Sequence, residues 1–538
     1  AGNVGSPVRK EYTVMGDAVN VAARVMQHSA WGEVWCSQAS ARAIAARMVC
    51  DDRGNAQLKG KAAPVRVFQV RGTRDLAPVA SGDTPLVGRQ QELDWLQEQL
   101  EHALAGNGRT VRIVGEAGVG KSRVVAELAE RARARGMRIV SAVCLSYSSS
   151  IPYAAWAEWL ISVCDIGSAD DDATRAAKLA ARLAELSPPA DEWLPLLGDL
   201  VRIDIPETRL TRGLDPQLRQ TRRFELLEQL LVGAAAHAPL LVVFEDLHWA
   251  DPISLELWRR VARHIGEQPI LLLGAHRALG ALNAESDGAQ ILPIGELSVD
   301  QSNLLANSLL QDIELPERVR TELVARSAGN PLFLAELLRA VRAKIDAAKQ
   351  PGAHATRTAF DVLSVEYLLR DLPDSLNGLL LSRIDRLDEV SRSVLRIASV
   401  IGQRIPFGVL HSIQPIDQRA LVRQLTRLDT EQLTYLERIE PERVHSFRHA
   451  MIQEVAYQSM LYARRRELHG RIGDYLERRY GDELEEYCGL LAHHYRHSDR
   501  HDKAVTYLVQ AGHVARGNYA NEEAIRYYGW AVEQIGDA

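Results

Sequence analysis

The sequence predicts a multidomain chain in which mixed α/β segments are followed by helical segments. Its 538 residues are too many for one hydrophobic core and suggest about three to five domains. Between residues 85 and 295, apolar strand-like runs alternate with helix-period segments, the pattern of a parallel sheet covered by helices. From residue 296 onwards, helical spacing predominates, which favours packed helices.

The composition excludes several classes of protein. Hydrophobic residues make up 46% and charged residues 25% of the chain, which is ordinary for a soluble globular protein. No apolar run approaches the roughly 20 residues that span a bilayer, so we expect no membrane segment. The net charge of −6 makes a nucleic-acid partner unexpected. Five cysteines without CxxC spacing favour reduced thiols in a cytoplasmic protein. Because the chain starts at Ala1 in the middle of a motif, we expect a fragment of a longer protein.

Residues 1–72 contain a predicted strand, Glu11–Met15, and a predicted helix that Asp17 caps. On this helix Asn20 and Arg24 stand four residues apart and therefore project from the same face. By periodicity alone, an amphipathic helix with a solvated arginine is the simpler interpretation.

The phrases YTVMGDAVNVAAR, GEVWCS and QLKGKAAPVRVFQV resemble the C-terminal half of class III adenylate/guanylate cyclase catalytic domains. The resemblance implies part of a ferredoxin-like fold, in which Asn20 orients the ribose and Arg24 stabilises the transferring α-phosphate. It also implies that Thr13 selects the purine and that Lys59, or alternatively Lys61, binds phosphate. In this family the two metal-binding aspartates lie upstream of such a segment, and the active site forms between two cyclase subunits. We therefore expect the chain to need a cyclase dimer partner and to be inactive as a cyclase by itself.

A Gly-rich turn between a predicted strand and a predicted helix carries the clearest signal of a site. The run Val111–Ser122, VRIVGEAGVGKS, satisfies the P-loop pattern G-x-x-x-x-G-K-[ST] in its required strand–helix context. Backbone N–H groups of such a loop bind phosphate oxygens, Lys121 reaches the outer phosphates, and the Ser122 hydroxyl ligates Mg²⁺. The motif therefore predicts ATP and Mg²⁺ as cofactors. The predicted nucleotide-binding residues are Gly115, Glu116, Ala117, Gly118, Val119, Gly120, Lys121 and Ser122.

A second stretch, PLLVVFEDLHWAD, predicts a buried parallel strand that ends in two acids. At the carboxyl end of such a strand, carboxylates face Mg²⁺ and the attacking water. We assign Glu245 to the metal and Asp246 to catalysis, although the sequence leaves this division open and both acids are candidate metal ligands. Three further residues are expected to organise the following loop rather than to act in catalysis: His248, Trp249 and Asp251.

The phrases VGRQQEL, FEDLHWAD and GNPL resemble those of STAND proteins, signalling ATPases related to the AAA class. The resemblance implies that Val87 and Gly88 lie near the adenine and that Arg277, after a predicted strand, senses the γ-phosphate. It also implies that Pro331 closes over the nucleotide and that His449, in FRHAMIQEVAY, reads the β-phosphate of bound ADP. The local sequence equally accommodates a simple helix start at either of the last two positions.

The C-terminal segments are predicted to be helical. The stretch from residue 372 to 402 looks like the start of a winged-helix module. The basic run at residues 448–468 is interpreted as a solvated helix face rather than a nucleic-acid surface. Ala504 and Tyr507 recur as Ala524 and Tyr527, which suggests two helices of one tetratricopeptide-like (TPR-like) repeat and hence a protein partner. One group of histidines is interpreted as a solvated helix face in preference to a metal site: His493, His494, His497 and His501.

These patterns divide the chain into six segments with distinct expected roles. They are 1–72, part of a cyclase domain; 73–84, a linker; 85–295, a P-loop ATPase domain; 296–365, a helical lid; 366–460, a winged-helix-like domain; and 461–538, TPR-like repeats. The most economical interpretation is a bacterial-type signalling protein in which a STAND ATPase controls cyclic nucleotide synthesis. The alternative is a regulatory ATPase switch or scaffold with a degenerate cyclase segment, controlling transcription through a partner.

Overall fold

A computed structural model describes most of the chain. The described residues are 2–6, 9–13, 17–29, 33–38, 40–41, 48–56, 64–73, 86–145, 151–167, 170–185, 190–277, 288–310, 313, 315–349, 365–439, 442–481 and 484–536. The contacts within the chain divide it into two units, residues 1–78 and 79–538.

The described part of the first unit contains antiparallel strands and a helix. The strands β1 (Gly2–Ser6) and β2 (Arg9–Thr13) form a hairpin ladder, and the helix α1 spans Asp17–His28. A three-stranded sheet has the order β3–β5–β4, with β3 at Val34–Ser37, β4 at Met48–Ala56 and β5 at Val65–Thr73. Asp17 was predicted to cap this helix from the position before it. In the structure Asp17 is instead the first residue of the helix. The ferredoxin-like arrangement stays a prediction, because the hairpin and the sheet are separate ladders.

A parallel sheet lies in the second unit, as the alternation of strand-like and helix-like segments predicted. Its strands, in the order β10–β6–β9–β8–β7, all pair in parallel. They are β6 (Arg109–Val114), β7 (Arg138–Val143), β8 (Leu240–Glu245), β9 (Ile270–His276) and β10 (Gln290–Pro293). The carboxyl end of β9 therefore lies between those of β6 and β8.

Successive side chains of this sheet enter two different cores, because they point alternately to opposite faces. Leu241 and Val243 of β8 pack with one set of helices, whereas Val242 and Phe244 pack with another. The first set is α2 (Gln90–Leu104) and α3 (Lys121–Ala134); the second includes α4 (Ala154–Val163), α5 (Asp172–Ala184), α6 (Leu194–Gly198), α7 (Pro216–His237) and α8 (Pro252–His264). Helices on both faces confirm the predicted parallel α/β class.

Helices predominate after the parallel sheet. The first group is α9 (Val299–Leu309), α10 (Glu317–Ser327), α11 (Pro331–Lys349), α12 (Val365–Leu369) and α13 (Leu376–Asp385). Next come α14 (Glu389–Ile401), β11 (Arg404–Pro406), α15 (Phe407–Ile413), α16 (Gln418–Thr430), β12 (Thr434–Arg438) and β13 (Val444–Phe447), with β11–β13–β12 forming an antiparallel sheet. The last group is α17 (Ala450–Gln458), α18 (Tyr462–Arg479), α19 (Leu484–Arg496), α20 (His501–Gly517) and α21 (Asn521–Gly536). None of the described helices is long and apolar enough to cross a membrane.

The C-terminal helices share a hydrophobic core with one face of the parallel sheet. Phe244 of β8 and Tyr527 of α21 belong to the same buried cluster. Polar contacts reinforce the joint, since Arg223 Nη1 of α7 donates to Asn518 Oδ1 at 2.7 Å. Burying apolar surface across these elements holds them together as one unit.

An ion cluster, defined as Glu336, Arg339 and Arg383, ties α11 to the elements that follow it. Glu336 is 1% exposed and accepts hydrogen bonds from both arginines. Arg383 Nη2 also donates to Glu431 O at 2.6 Å, and Arg339 Nη2 donates to Gln432 Oε1 at 2.8 Å. The cluster thus joins α11 to α13 and to the turn before β12.

We predict that Glu336→Ala destabilises the protein by about 3–5 kcal/mol, because it leaves the buried Arg383 guanidinium without its carboxylate. The measurement is the shift of the first thermal unfolding transition, which does not require two-state unfolding. Glu317→Ala is the matched control, since the Glu317 side chain is 85% exposed. Equal transition temperatures for the two variants would contradict the importance of the cluster.

Candidate nucleotide-binding site

The P-loop, Gly115–Ser122, connects β6 to α3. Gly118 and Gly120 have φ angles of +82° and +101°, in the left-handed region that favours glycine. At Gly115, a Cβ atom would lie 2.4 Å from Ile294 O, so a side chain does not fit. Lys121 Nζ donates to Gly115 O at 2.8 Å and to Glu116 O at 2.9 Å. The loop therefore has the tight backbone and the lysine position that phosphate binding requires.

Glu245, at the end of β8, is buried beside the P-loop. Its Oε1 atom has no hydrogen-bond partner among the residues that the structure describes. Burial raises the pKa of Glu245 to about 7, whereas a hydrogen bond from Ser122 acts to lower it. A buried carboxylate oxygen beside the P-loop hydroxyl fits a site for Mg²⁺, which prefers oxygen ligands. The metal-binding roles of Ser122, Glu245 and Asp246 stay predictions.

Asp246 follows β8 and Arg277 follows β9. Because these two strands are parallel neighbours, both residues lie at the same edge of the sheet. Asp246 has a φ of +51°, and this turn directs the chain into the loop that follows β8. Burial raises the pKa of Asp246, whereas the charges of Lys121 and Arg277 lower it. Lys121, Asp246 and Arg277 therefore form one electrostatically coupled group at the mouth of the P-loop. Their individual roles stay predictions.

The start of α11 contacts the P-loop backbone directly. Asn330 Nδ2 donates to Ala117 O at 3.1 Å, and Leu332 N donates to Gly118 O at 3.3 Å. Asn330 Oδ1 also accepts from Phe333 N at 3.1 Å, which caps α11. Pro331, the residue that the sequence singled out, is the first residue of α11 and lies between these two donors.

The VGR phrase joins the P-loop to the helices that follow the sheet. Val87 packs against the core formed by α9 to α13, and Gly88 accepts a hydrogen bond from Gln301 of α9. Arg89, which sequence reasoning did not single out, is 6% exposed and donates to Val119 O at 3.3 Å and to Gly295 O. The sequence signal that could have identified Arg89 is its position directly after Val87 and Gly88 in the VGR phrase.

The loop after β8 is organised by Asp251, as the sequence predicted. Its Oδ1 atom accepts from Ser254 N at 2.9 Å, which caps α8, and from Tyr153 N at 3.1 Å. Burial raises the pKa of Asp251 to about 6. This carboxylate therefore fixes the loop to both α8 and the start of α4.

His449 precedes α17 and lies beside the ion cluster. Burial lowers the pKa of His449 to about 4. The charges of the nearby arginines also lower this pKa, whereas the charge of Glu336 raises it. None of these charged groups belongs to the P-loop. Its predicted contact with a β-phosphate stays a prediction.

The cyclase candidates lie in the first unit. Asn20 and Arg24 are both on α1, and Arg24 is half-buried. Thr13 is the last residue of β2. Lys59 and its alternative Lys61 lie outside the described residues. Their roles stay predictions.

The interpretation of the histidine group as a solvated helix face is wrong for its central member. His494 of α19 is 2% exposed, and its Nδ1 lies 3.0 Å from Nδ1 of His469 in α18. Tyr457 OH completes the contact at 3.0 Å from His469 Nε2, whereas His501 pairs with Gln534 instead. In the part of the chain that the structure describes, no three His, Cys, Asp or Glu side chains have the arrangement of a metal site.

A parallel sheet whose P-loop faces two strand-end acids defines a P-loop nucleotide-binding domain. Residues 85–273 match the family model described as an AAA ATPase domain, and both the P-loop and the acidic pair lie inside that match. This part of the chain is therefore similar to AAA ATPase domains.

The chain also resembles longer proteins. It is 27% identical over 547 residues to an uncharacterized protein of Rhizobium meliloti (strain 1021), covering 97% of this chain and 50% of that protein. It is 22% identical over 356 residues to adenylate cyclase type 10 of Rattus norvegicus, covering 63% of this chain and 22% of that protein. The chain thus spans half or less of the length of these relatives.

Two solved structures illustrate the structural similarity. A STAND protein with a tetratricopeptide repeat sensor from Pyrococcus horikoshii aligns with a TM-score of 0.41 and 14% identity, over 84% of this chain and 66% of that one. The Drosophila ORC bound to DNA aligns with a TM-score of 0.35 and 10% identity, over 70% and 89%. At these TM-scores neither alignment establishes a shared fold.

We predict that Glu245 makes the metal-free protein less stable as the pH rises from 5 to 8. A folded-state pKa near 7, above the ordinary 4.5, means that the folded protein binds this proton more tightly than the unfolded chain does. The resulting stabilisation is full below the unfolded pKa and is lost as the pH rises through about 7. Glu245→Gln should remove this loss, so the melting temperature of the variant minus that of the wild type should grow with pH. A constant difference would contradict the burial of an ionisable group at this position.

Proposed function

We propose that this chain is the nucleotide-dependent switch of a STAND-type signalling protein and that it regulates a class III cyclase domain. The observation that carries the proposal is the placement of α11. Its first residues bind the P-loop backbone, and five residues after Pro331 the same helix carries Glu336 of the ion cluster. One rigid element therefore links the nucleotide site to the elements that follow.

The contacts of α11 depend directly on the conformation of the phosphate-binding loop. Ala117 O and Gly118 O, which accept hydrogen bonds from α11, belong to the loop that wraps phosphate. When the loop closes around a nucleotide, its carbonyl groups reorient with it, and ATP and ADP place different charge in the loop. A nucleotide that binds one arrangement of loop and helix more tightly shifts the protein toward that arrangement.

The module after α11 has the element order of a winged helix, which supports that part of the proposal. Helix α14, strand β11, helices α15 and α16, and the hairpin β12–β13 follow one another, and the three strands form one antiparallel sheet. Burial raises the pKa of Tyr435 in β12 to about 12, and the charges of Glu437 and Glu245 act in the same direction. An effect of Glu245 on Tyr435 supports a position of this module near the nucleotide site.

The similarity to adenylate cyclase type 10 supports a partnership between this ATPase and a cyclase. That alignment spans 356 residues, far more than the 72 residues of the predicted cyclase segment. Most of the similarity therefore lies in the ATPase and helical parts, in a protein whose name denotes cyclase activity. The helical hairpin α20–α21 supports the TPR-like segment, where all four repeated positions, Ala504, Tyr507, Ala524 and Tyr527, are buried.

The residues around the P-loop have complementary roles in this proposal. Lys121 and Arg277 neutralise the outer phosphates, and Asp246 accepts a hydrogen bond from the water that attacks the γ-phosphate. Ser122 and Glu245 would hold Mg²⁺, which when bound neutralises phosphate charge. Binding and slow turnover then set the lifetime of each state of the switch.

We predict that Lys121→Ala weakens binding of a fluorescent ATP analogue at least about 100-fold, because the phosphate loses a buried charge-assisted hydrogen bond. In a protein that includes the complete cyclase domain, the same change should abolish the response of cyclic nucleotide output to the nucleotide at the P-loop. Arg133→Ala, on the exposed face of α3, is the control and should leave both unchanged. Weakened binding with an unchanged cyclase response would contradict the coupling and favour an ATPase scaffold.

A further inference from the structure

His248, two residues after Asp246, is a buried polar side chain that the roles described so far leave unused. Its side chain is 2% exposed, and neither ring nitrogen hydrogen-bonds to any residue in the described part of the chain. The neighbouring His276 differs, because its Nδ1 makes a hydrogen bond to Arg277 O at 2.8 Å. Buried polar groups are nearly always paired, so an unpaired imidazole at this depth points to a ligand.

The ring faces the groups that handle the outer phosphates. Its Nδ1 lies 3.9 Å from Asp246 Oδ1, which is too far for a direct hydrogen bond. Two hydrogen bonds of about 2.8 Å that meet at one water oxygen span this separation. Arg277 and Lys121 lie close enough for their charges to act on the ring. The indole ring of Trp249 packs against the imidazole, with the ring centroids 5.2 Å apart.

We propose that His248 is a catalytic residue that, together with Asp246, holds the water that attacks the γ-phosphate. The proposal rests on the proposed function, because it requires the P-loop to bind ATP. It assigns His248 a role beyond organising the loop after β8.

In this arrangement the two O–H groups of one water are directed at Asp246 Oδ1 and at a ring nitrogen of His248, so that a lone pair faces the γ-phosphorus. The water oxygen bonds to the γ-phosphorus while the bond between that phosphorus and the β–γ bridging oxygen breaks, and the electron pair of the broken bond leaves with ADP. One proton of the water passes to the Asp246 carboxylate and from there to the phosphate product, the other stays on the transferred oxygen, and the products are ADP and inorganic phosphate.

The test compares two substitutions of His248 with a matched control. His248→Phe keeps an aromatic ring and removes both nitrogens, whereas His248→Asn keeps a hydrogen-bonding atom near the position of Nδ1. His102→Phe makes the same chemical change at an exposed histidine of α2. Single-turnover ATP hydrolysis and the affinity for a fluorescent ADP analogue are measured for each protein.

We expect His248→Phe to hydrolyse ATP about 100-fold more slowly than the wild type, and His248→Asn to remain within about tenfold of it. ADP affinity should stay within about threefold in both variants, and His102→Phe should match the wild type in both assays. Hydrolysis by His248→Phe within twofold of the wild type would overturn the proposal, as would a parallel loss of ADP affinity.

Two results with the wild-type chain separate this proposal from the proposed function. If the chain binds ATP and never hydrolyses it, His248 has no catalytic role, and the nucleotide switch stands. If the chain binds neither ATP nor ADP, the switch itself fails, and the role of His248 fails with it.

Discussion

The contact between the first residues of α11 and the P-loop backbone is the constraint on which the second unit depends. Just before α11, Gly329 has a φ of +75°, and a Cβ atom there would lie 2.4 Å from Leu297 O, so only glycine lets the chain pass this close to Leu297. Asn330 then uses its amide N–H to bind Ala117 O and its amide oxygen to cap the helix. Pro331 has the φ that a first helical residue needs. Gly329 thus lets the chain pass Leu297, Asn330 binds the phosphate-binding loop, and Pro331 begins the helix.

Features whose chemistry lies within one short stretch could be predicted from the sequence. The P-loop, the buried strand that ends in Glu245 and the parallel sheet all follow from local spacing and apolar patterning. The N-terminus of α9 is also determined locally, because the Ser298 side chain accepts from Gln301 N at 3.2 Å and Gln301 Oε1 accepts from Ser298 N at 2.9 Å. Local geometry determines each of these features.

Features that depend on distant residues could not be predicted in this way. Arg89 donates to Gly295 O, 206 positions away along the chain, and no local pattern encodes such a pair. The histidine group shows the same limit, because helical spacing within one segment included His501 and missed His469. Packing of α18 against α19 decides which imidazoles meet. The ion cluster, which joins α11 to α13, likewise arises from tertiary packing rather than from spacing.

Hydrogen exchange measured with ADP, with a non-hydrolysable ATP analogue and without nucleotide tests the central claim most directly. Exchange reports local opening of backbone hydrogen bonds, so it follows each segment separately. The account predicts that residues 331–349 of α11 and residues 431–438 around β12 change protection together, and that Asn330→Ala confines the change to the P-loop. A response confined to residues 115–122 in the wild-type protein would contradict the claim that α11 transmits the state of the nucleotide site.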